Sequence, residues 1–310
     1  MKIFRDIDAL PHFQNPTVTL GTFDGVHRGH KEILKTLKEK ALEINAETVL
    51  LTFWPHPRMV LQPDDQLLRL LNTIEEKIEI LEKLGLDNLV IIPFTQELSK
   101  MSHLDFIRDI LVYKLHVKYL IVGHDHQFGK NREGNYEQLE AAAPIHHFEL
   151  TQVPALQLDE TSISSSKIRH SLQAGEIEIA NNMLGYTYSV SGKVVEGKKR
   201  GRELGYPTAN ISVDHAYKLI PGDGIYVVEA QFDGKTHKGM ASIGFNPTFG
   251  DTGKTLEVNI LDFNEMIYNK NITIKFWHYL RKEVKFANLS DLVHQLGADE
   301  KEARSFFVNH

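Results

Sequence analysis

Two histidines stand three residues apart where the first strong hydrophobic run of the sequence gives way to a helical pattern. His27 and His30 end the segment Gly21–His30, and glycines at 21 and 25 allow its backbone to turn tightly. The N-terminus of the following helix offers unpaired N–H groups and a positive dipole end, which favour a phosphate. Two imidazoles on one helix face could hydrogen-bond the same anion. The segment is therefore a candidate phosphate-binding turn, although a helix cap with two solvated histidines fits the spacing about as well.

The sixteen histidines of the chain also raise the question of a metal site. A zinc site at His27 and His30 would need a third ligand and usually a carboxylate behind it. The triplet His124-Asp125-His126 follows a strand pattern, in which alternate side chains point to opposite faces, so Asp125 would face away from both histidines. We expect no dedicated metal site at either place. His124 and His126 are expected to line a pocket or to face solvent.

A second candidate phosphate site lies in the glycine-rich and basic segment that follows residue 196. Its candidate ligands are Gly197, Lys199, Gly201, Gly205, Thr208 and Asn210. The glycines would let the backbone form a flap over phosphates, and the basic residues would supply positive field. The hydroxyl of Thr208 and the amide oxygen of Asn210 are hard donors of the kind that Mg²⁺ prefers. A solvated basic hairpin is the alternative interpretation for residues 198–200 alone.

Alternating strand-like and helix-like segments in the first half of the chain predict a sheet that could position the histidine turn. Apolar runs rich in β-branched residues, interpreted as strands, lie at Val18–Leu20, Val49–Phe53, Leu89–Phe94 and Tyr119–Val122. Helical spacing of apolar residues begins between them at Ile33, Ile74 and Phe106. This alternation is typical of a doubly wound parallel sheet, whose ligands bind beyond the carboxyl ends of the strands.

After Leu184, strand-like stretches follow one another directly. They lie at Tyr188–Val195, Ile225–Phe232, His237–Ile243, Leu256–Phe263 and Ile272–Tyr279. This pattern predicts a compact antiparallel barrel or sandwich. Ser290–Phe307 is predicted to form a terminal helix that Gly297 could interrupt. We therefore expect an α/β domain over residues 1–184 and a β domain over residues 185–310.

Several of these segments resemble the signatures of one enzyme family. His27-Arg28-Gly29-His30 resembles the HxGH signature of the nucleotidyltransferase superfamily. The longer segment Gly21–His30 resembles the form of that signature in bacterial FAD synthetases, which join an FMN adenylyltransferase and a riboflavin kinase in one chain. Ile163–Arg169 resembles the second signature of the superfamily, with Ser166 where the family usually has Thr. Gly205–Asn210 resembles the PTAN motif of riboflavin kinases.

The resemblance implies a fold, two activities and a set of site residues. It implies an HxGH-type sheet and a riboflavin-kinase-type barrel, which would use ATP to convert riboflavin to FMN and FMN to FAD. His27 and His30 would stabilise charge at the α-phosphate, and Glu257 would act as the general base of the kinase. The residues implied to bind nucleotide in adenylyl transfer are Gly21, Thr22, Phe23, Gly25, Asp125, Ser164, Ser165, Ser166 and Arg169. Those implied for the kinase are Gly197, Lys199, Gly201, Gly205, Thr208 and Asn210, with Mg²⁺ at Thr208 and Asn210 and flavin contacts at His56 and Arg281.

Two departures from the family pattern leave alternatives open. Asn259 stands where the family often has His, and His124 and His126 replace the usual aromatic residues. These departures keep open a chain in which only the HxGH half is active and the β domain serves binding or assembly. A non-catalytic flavin or nucleotide carrier is a third alternative, which the paired histidines and the pairing of Glu257 with Thr208 disfavour.

The composition excludes several classes of protein. Hydrophobic residues make up 42% and charged residues 25% of the 310-residue chain, which supports a folded core. The absence of cysteine excludes disulfides, cysteine-ligated zinc, iron–sulfur clusters and thiol nucleophiles. A net charge of −6 disfavours nonspecific binding to nucleic acid or anionic membrane. Since no signal peptide or membrane-length apolar run is present, we expect a cytoplasmic protein with small-molecule substrates, whose self-association the sequence leaves open.

Overall fold

A computed structural model of the chain describes residues 1–62, 68–158, 161–197, 201, 204–213, 215–245 and 254–309. Their contacts divide the chain into two compact units, Met1–Ser165 and Ser166–His310. Hydrophobic clusters of buried side chains lie within each unit. Among the described helices, none combines the length and the apolar character that crossing a membrane requires.

The first unit is built on a parallel sheet. Its described strands pair in the order β1-β4-β3-β2-β5-β6, and neighbouring strands run parallel. The strands are β1 Lys2–Phe4, β2 Thr17–Leu20, β3 Thr48–Phe53, β4 Asn88–Ile92, β5 Tyr119–Gly123 and β6 Glu149–Val153. Alternate residues of β3 belong to different cores, since Val49 and Leu51 pack in one cluster and Leu50 in another. The sheet is thus buried on both faces, and the predicted parallel sheet is confirmed.

Helices and short turns connect the strands of this sheet. They are α1 Arg28–Glu43, α2 Pro57–Leu61, α3 Ile74–Lys83, α4 Gln96–Ser99, α5 His103–Asp105 with a π-helical continuation over Phe106–Lys114, α6 Tyr136–His146, the 3₁₀ turns Ile7–Ala9 and Lys130–Arg132, and the hairpin of β7 Gln157–Leu158 with β8 Thr161–Ser162. β2 lies between β3 and β5, and the chain leaves β2 toward β3 but leaves β5 toward β6. The strand order therefore reverses between β2 and β5, which is where doubly wound sheets bind their ligands.

The sequence pattern missed both edge strands of the sheet. In β1 the first two of its three residues are exposed. In β6, Glu149 and Gln152 are exposed and only Val153 is buried. An edge strand has one neighbour and one open side, so it lacks the continuous apolar run that marks an inner strand.

The second unit contains a closed antiparallel barrel. Its described strands close in the order β10-β13-β12-β11-β14-β9, and neighbouring strands run antiparallel. The strands are β9 Ser189–Val195, β10 Thr208–Ser212, β11 Gly224–Phe232, β12 Lys235–Phe245, β13 Lys254–Ile260 and β14 Asn271–Arg281. The barrel is one of the two architectures that the strand pattern predicted.

Helices α7 Ser165–Ala174 and α8 Ile177–Leu184 precede the barrel in sequence. Asn181 of α8 donates a hydrogen bond to the Phe276 carbonyl at 2.9 Å and accepts one from the Tyr188 amide at 2.7 Å. These bonds attach α8 to β14 and to the entry of β9. The boundary between the compact units accordingly precedes α8, at Ser165/Ser166, while the division of the two functional domains at residues 184/185 stays a prediction.

The terminal helix, α9, spans Leu289–Asn309 and passes through Gly297 without a break. The expected interruption is wrong, because a glycine costs about 1 kcal/mol relative to alanine in a helix but removes no backbone hydrogen bond. Ala303 of α9 is buried in one cluster with Val227 and Met240 of the barrel. This packing stabilises the helix across the glycine.

Candidate active sites

The turn between β2 and α1 has an unusual backbone. Gly21, Phe23, Gly25 and Val26 have φ angles of 156°, 47°, 85° and 35°. Positive φ is easy for glycine, but it strains Phe23 and, more severely, the β-branched Val26. A strained conformation of this kind persists only where surrounding groups hold it. The turn lies at the carboxyl end of β2, beside the point where the strand order reverses.

Asp24 is one of the groups that hold this turn. It is 3% exposed, and its carboxylate accepts hydrogen bonds from the backbone amides of Leu71 at 3.0 Å and Asn72 at 3.3 Å. Its own carbonyl accepts a bond from the Ser165 hydroxyl at 2.8 Å. The first and second signatures are therefore joined directly at Asp24. Sequence reasoning missed this residue, although an acid between the glycines of a phosphate turn is a usable signal.

Lys77 holds the same turn from α3. Its ammonium nitrogen lies 2.6 Å from the carbonyl oxygen of Thr22, and the residue is 4% exposed. Burial lowers the pKa of Lys77 to about 8, although the negative charge of Asp24 opposes the shift. This contact could not be predicted from the sequence, because Lys77 has the pattern of any polar residue in an amphipathic helix.

The two histidines form one stack at the start of α1. His27 is the N-cap residue, and its Nδ1 accepts the His30 amide at 3.3 Å. The two imidazole rings stack at a centroid distance of 3.7 Å. The Phe23 ring stacks on the His30 ring at a centroid distance of 4.5 Å. The helix cap of the alternative interpretation is therefore present, but its solvated histidines are not, since His27 is buried and its ring is paired with that of His30.

The electrostatic environment keeps His30 uncharged. Burial, the adjacent His27 and the charge of Lys77 together hold the pKa of His30 well below its usual value. Its Nδ1 is buried and has no hydrogen-bond partner among the described residues. In His27, the bond accepted at Nδ1 favours the neutral tautomer that carries its proton on Nε2. Such a pair can offer N–H donors to an anion without adding two charges at one point.

His56 lies after β3 and is the N-cap residue of α2. It is buried, and its Nδ1 accepts the amide of Arg58 at 3.2 Å. Because β3 pairs in parallel with β2, His56 lies at the same carboxyl edge of the sheet as the histidine turn. Its flavin contact stays a prediction.

The residues after β5 depart from the strand pattern that the sequence suggested. β5 ends at Gly123, and His124 and Asp125 form an exposed turn closed by a 3.2 Å bond from the His126 amide to the Gly123 carbonyl. The alternating-face interpretation is therefore wrong here, because a turn does not alternate. Burial lowers the pKa of His126 to about 4. A cleft of about 460 Å³ lies around these residues. Nowhere among the described residues do three or more His, Cys, Asp or Glu side chains form a group that could hold a metal ion.

The second signature spans the start of α7. Ser164 precedes the helix and Ser165 begins it, and both belong to the first unit. Ser166 is exposed and Arg169 is partly buried, and both belong to the second unit. The triphosphate contacts of these residues stay predictions.

A hydroxyl and a carboxylate meet on adjacent strands of the barrel. Thr208 of β10 donates a hydrogen bond from Oγ1 to Oε2 of Glu257 on β13 at 3.1 Å. In the strand register, Asn210 lies directly opposite Glu257. The sequence pattern predicted no strand here, whereas the structure places Thr208 and Asn210 on β10, which fixes their spacing.

Two glycines lie against this pair of strands. An ideal Cβ on Gly197 would stand 2.1 Å from Nδ2 of Asn210, and one on Gly201 would stand 2.2 Å from the Tyr206 carbonyl. A side chain at Gly197 would therefore displace the Asn210 amide group, and one at Gly201 would displace the Tyr206 carbonyl. Gly205 has a φ of 79° and open space around it. Lys199, which the sequence assigned to the same site, lies outside the described residues.

Replacing Gly197 by alanine is expected to lower riboflavin phosphorylation by about 10²-fold, because the new methyl group would displace the Asn210 amide and small misplacements have effects of this size. Conversion of supplied FMN to FAD should be unchanged. Initial rates of both reactions in the full chain measure the effect. Gly297→Ala, whose Cβ would meet nothing closer than Tyr206 Oη at 3.6 Å, is the matched control and should keep full activity. Normal phosphorylation by Gly197→Ala would contradict the role of Asn210.

Two further polar residues complete the surroundings of Glu257. Asn259 donates from Nδ2 to the Pro207 carbonyl at 2.8 Å, so the residue that departs from the family pattern holds the start of β10. Glu283 lies against Gly244, since a Cβ there would stand 2.7 Å from its Oε2. Burial and the negative charges of Asp223 and Glu257 raise the pKa of Glu283. Sequence reasoning missed Glu283 as part of this site.

Arg281 forms a bidentate pair with a buried carboxylate. Its Nε and Nη2 donate to the two oxygens of Asp299 at 2.8 and 2.6 Å, and its Nη1 donates to the Lys282 carbonyl at 3.0 Å. Gln295 donates to the same Asp299 carboxylate at 2.9 Å. The guanidinium thus joins β14 to α9, and its flavin contact stays a prediction.

Comparisons with known proteins identify the family. Residues 10–167 match the family model described as FAD synthetase, and residues 184–307 match the one described as riboflavin kinase. A bifunctional riboflavin kinase/FMN adenylyltransferase of Listeria monocytogenes is 42% identical over 295 residues, covering 95% of this chain and 93% of that protein. This chain belongs to the bifunctional riboflavin kinase/FMN adenylyltransferase family.

Other members of this bifunctional family match over nearly the same length. The protein of that name from Bacillus subtilis is 36% identical, over 94% of this chain and 92% of its own. The one from Escherichia coli K12 is 34% identical, over 99% and 98%. A crystal structure of a protein named as a macrolide-efflux protein from Streptococcus pneumoniae has a TM-score of 0.89 and 30% identity, covering 97% of this chain and 98% of that one. The FAD synthetase match includes the histidine turn, and the riboflavin kinase match includes Thr208 and Glu257.

Proposed function

We propose that this chain catalyses two successive reactions, the phosphorylation of riboflavin to FMN and the adenylylation of FMN to FAD, each with ATP. The observation that carries the proposal is the presence of two separate phosphate-type sites in a chain of this family. One is the pair of stacked histidines at the strained turn after β2. The other is the Thr208–Glu257 pair beside Gly197 and Gly201, where no Cβ would fit.

In the first reaction, Glu257 acts as the general base. It takes the proton of the terminal ribityl hydroxyl of riboflavin, and that oxygen forms a bond to the γ-phosphorus of ATP. The bond from the γ-phosphorus to the β,γ-bridging oxygen breaks, and ADP leaves with the electron pair. Thr208 donates to one oxygen of the carboxylate and so fixes its orientation toward the nucleophile.

The residues present also fit a magnesium ion that accompanies ATP. Thr208 and Asn210 present a hydroxyl and an amide oxygen, and Mg²⁺ commonly uses few protein oxygens together with water and phosphate. Gly197 and Gly201 leave β10 open at these two residues, because any Cβ would collide there. When bound, the ion would neutralise charge on the β- and γ-phosphates. The kinase nucleotide contacts proposed beside it are Gly197, Lys199, Gly201 and Gly205.

In the second reaction, a phosphate oxygen of FMN forms a bond to the α-phosphorus of another ATP. The bond to the α,β-bridging oxygen breaks, and pyrophosphate leaves. His27 and His30 donate hydrogen bonds to the charge that develops on the α-phosphate, from a position fixed before the reaction begins. The other nucleotide contacts proposed are Gly21, Thr22, Phe23, Gly25, Asp125, Ser164, Ser165, Ser166 and Arg169, with His56 on the flavin side.

The function is tested by incubating the purified full chain with riboflavin, ATP and Mg²⁺. Chromatography then resolves riboflavin, FMN and FAD at successive times. FMN is expected to appear first and FAD later. A parallel incubation with FMN in place of riboflavin isolates the second reaction. Formation of FAD from FMN but no FMN from riboflavin would favour the alternative with one active half. Flavin binding without any ATP turnover would favour the carrier.

ATP, riboflavin and FMN are the small-molecule substrates that the two reactions require. A cytoplasmic location and the absence of nucleic-acid and membrane partners stay predictions, with the net charge of −6 as their main support.

A further inference from the structure

Lys77 is buried beneath the histidine turn, and its ammonium reaches the Thr22 carbonyl at 2.6 Å. We propose that Lys77 is a positioning residue for adenylyl transfer, which holds the turn that presents His27 and His30. The proposal rests on the proposed function of that turn and adds to it a residue outside both signatures.

The geometry supports a positioning role because the turn is strained and Lys77 approaches it from a fixed helix end. The first turn of α3 carries a capping box, in which the Thr73 hydroxyl accepts the Glu76 amide at 3.2 Å and the Glu76 carboxylate accepts the Thr73 amide at 3.0 Å. Lys77 follows directly on this capped turn. The Thr22 carbonyl accepts hydrogen bonds from the Lys77 ammonium at 2.6 Å and from the Thr52 hydroxyl at a longer 3.4 Å. Loss of the ammonium would remove the shorter of these two contacts and leave the longer one.

The contact also lies next to the strained residues. Thr22 precedes Phe23, which has a φ of 47° and stacks on His30. Asp24, two residues after Thr22, is bonded to the amides of Leu71 and Asn72 just before α3. The segment 71–77 therefore holds the turn at two points. Movement of the Thr22 carbonyl would be transmitted to His30 through the Phe23 ring.

Charge gives Lys77 a second effect on the same histidine. Asp24 on the turn and His30 on α1 both interact electrostatically with Lys77. A buried ammonium is costly without a counter-charge, and Asp24 supplies one. The positive charge of Lys77, added to burial and to His27, favours the uncharged form of His30. Removing this charge should therefore make His30 easier to protonate.

The test compares Lys77→Met with wild type in the full chain. We expect the kcat for FAD formation from FMN to fall about 10²-fold, with a smaller change in the KM for ATP, because misplacement acts mainly on the reacting geometry. The acid limb of the pH–rate profile should move to higher pH. Riboflavin phosphorylation by the same molecules should be unchanged, and it reports that the chain is folded. Lys77→Arg keeps the positive charge, so its kcat for FAD formation should lie between those of wild type and Lys77→Met.

A matched control and a direct probe separate positioning from a purely structural role. Lys83→Met replaces an exposed lysine of the same helix and should behave as wild type. In histidine-labelled protein, the NMR titration midpoint of His30, assigned with His30→Gln, should rise in Lys77→Met and stay unchanged in Lys83→Met. Unchanged kcat in Lys77→Met, equal loss of both activities, or loss of adenylyl transfer without movement of the His30 midpoint would each overturn the proposal. Absence of FAD formation by wild type would instead overturn the proposed function.

Discussion

Replacing His27 by asparagine is expected to lower FAD formation from FMN by about 10²–10³-fold, which is on the order of 2.7–4 kcal/mol of transition-state stabilisation. The imidazole would no longer donate to the α-phosphate. Asparagine is chosen because His27 also caps α1 through Nδ1. Asparagine is a good N-cap, whereas alanine would cost about 0.5–2 kcal/mol of stability. The substitution therefore removes the imidazole Nε2–H, a position that the shorter asparagine side chain does not reach, and keeps the cap.

The measurement is a time course from riboflavin, ATP and Mg²⁺ with all three flavins resolved. Wild type should proceed to FAD, and His27→Asn should stop at FMN. His147→Asn is the control, because His147 is exposed and its φ of 57° suits asparagine. If FMN formation fell as much as FAD formation in a folded His27→Asn protein, the assignment of the two reactions to separate sites would be wrong.

Replacing Glu257 by glutamine should have the opposite effect to His27→Asn, with loss of riboflavin phosphorylation and retention of adenylyl transfer. Loss of a general base typically lowers a rate by about 10²–10⁴-fold, so riboflavin phosphorylation should nearly stop. The amide oxygen of glutamine can still accept the hydrogen bond of Thr208, so β10 and β13 should keep their pairing. Adenylylation of supplied FMN should continue at the wild-type rate.

Separate incubations with riboflavin and with FMN measure the two rates of Glu257→Gln. Glu302→Gln on an exposed position of α9 is the control for the loss of one negative charge. Retention of kinase activity within a few-fold would exclude Glu257 as the base. Glu283 would then be the next candidate, since its pKa is raised by burial and by its acidic neighbours Asp223 and Glu257.

The parts of the fold that could be predicted are those whose signal is local. The inner strands of the first unit are continuous apolar runs, and four of them were located within one or two residues of their bounds. β10 was missed, because three of the five residues of Thr208–Ser212 are polar and the segment contains no apolar run. The segment after Phe106 was correctly expected to be helical, but its π-helical form, with the Leu115 amide bonded to the Ile110 carbonyl, has no periodicity signal of its own.

The candidate sites divide in the same way. His27 and His30 were visible because both lie in one short segment, and Thr208 and Asn210 were visible for the same reason. The contacts of Lys77 with Thr22 and of Arg281 with Asp299 join residues far apart in the chain, and a single sequence gives no pairing information. His124 and Asp125 were misread because strand alternation was applied to residues that lie beyond the end of β5.

The uncharged histidines of the first unit make its stability depend on acidity. In the unfolded chain an ordinary histidine binds a proton near pH 6.5, whereas burial holds the pKa of His126 at about 4 and that of His30 well below its usual value. At a pH between the unfolded and folded pKa values, the unfolded state binds protons that the folded state does not bind. The free energy of unfolding therefore falls as the pH falls. The contribution of His126 is complete above pH 6.5 and is lost on the way to about pH 4. Mild acidification would therefore destabilise the first unit through its own partly buried histidines.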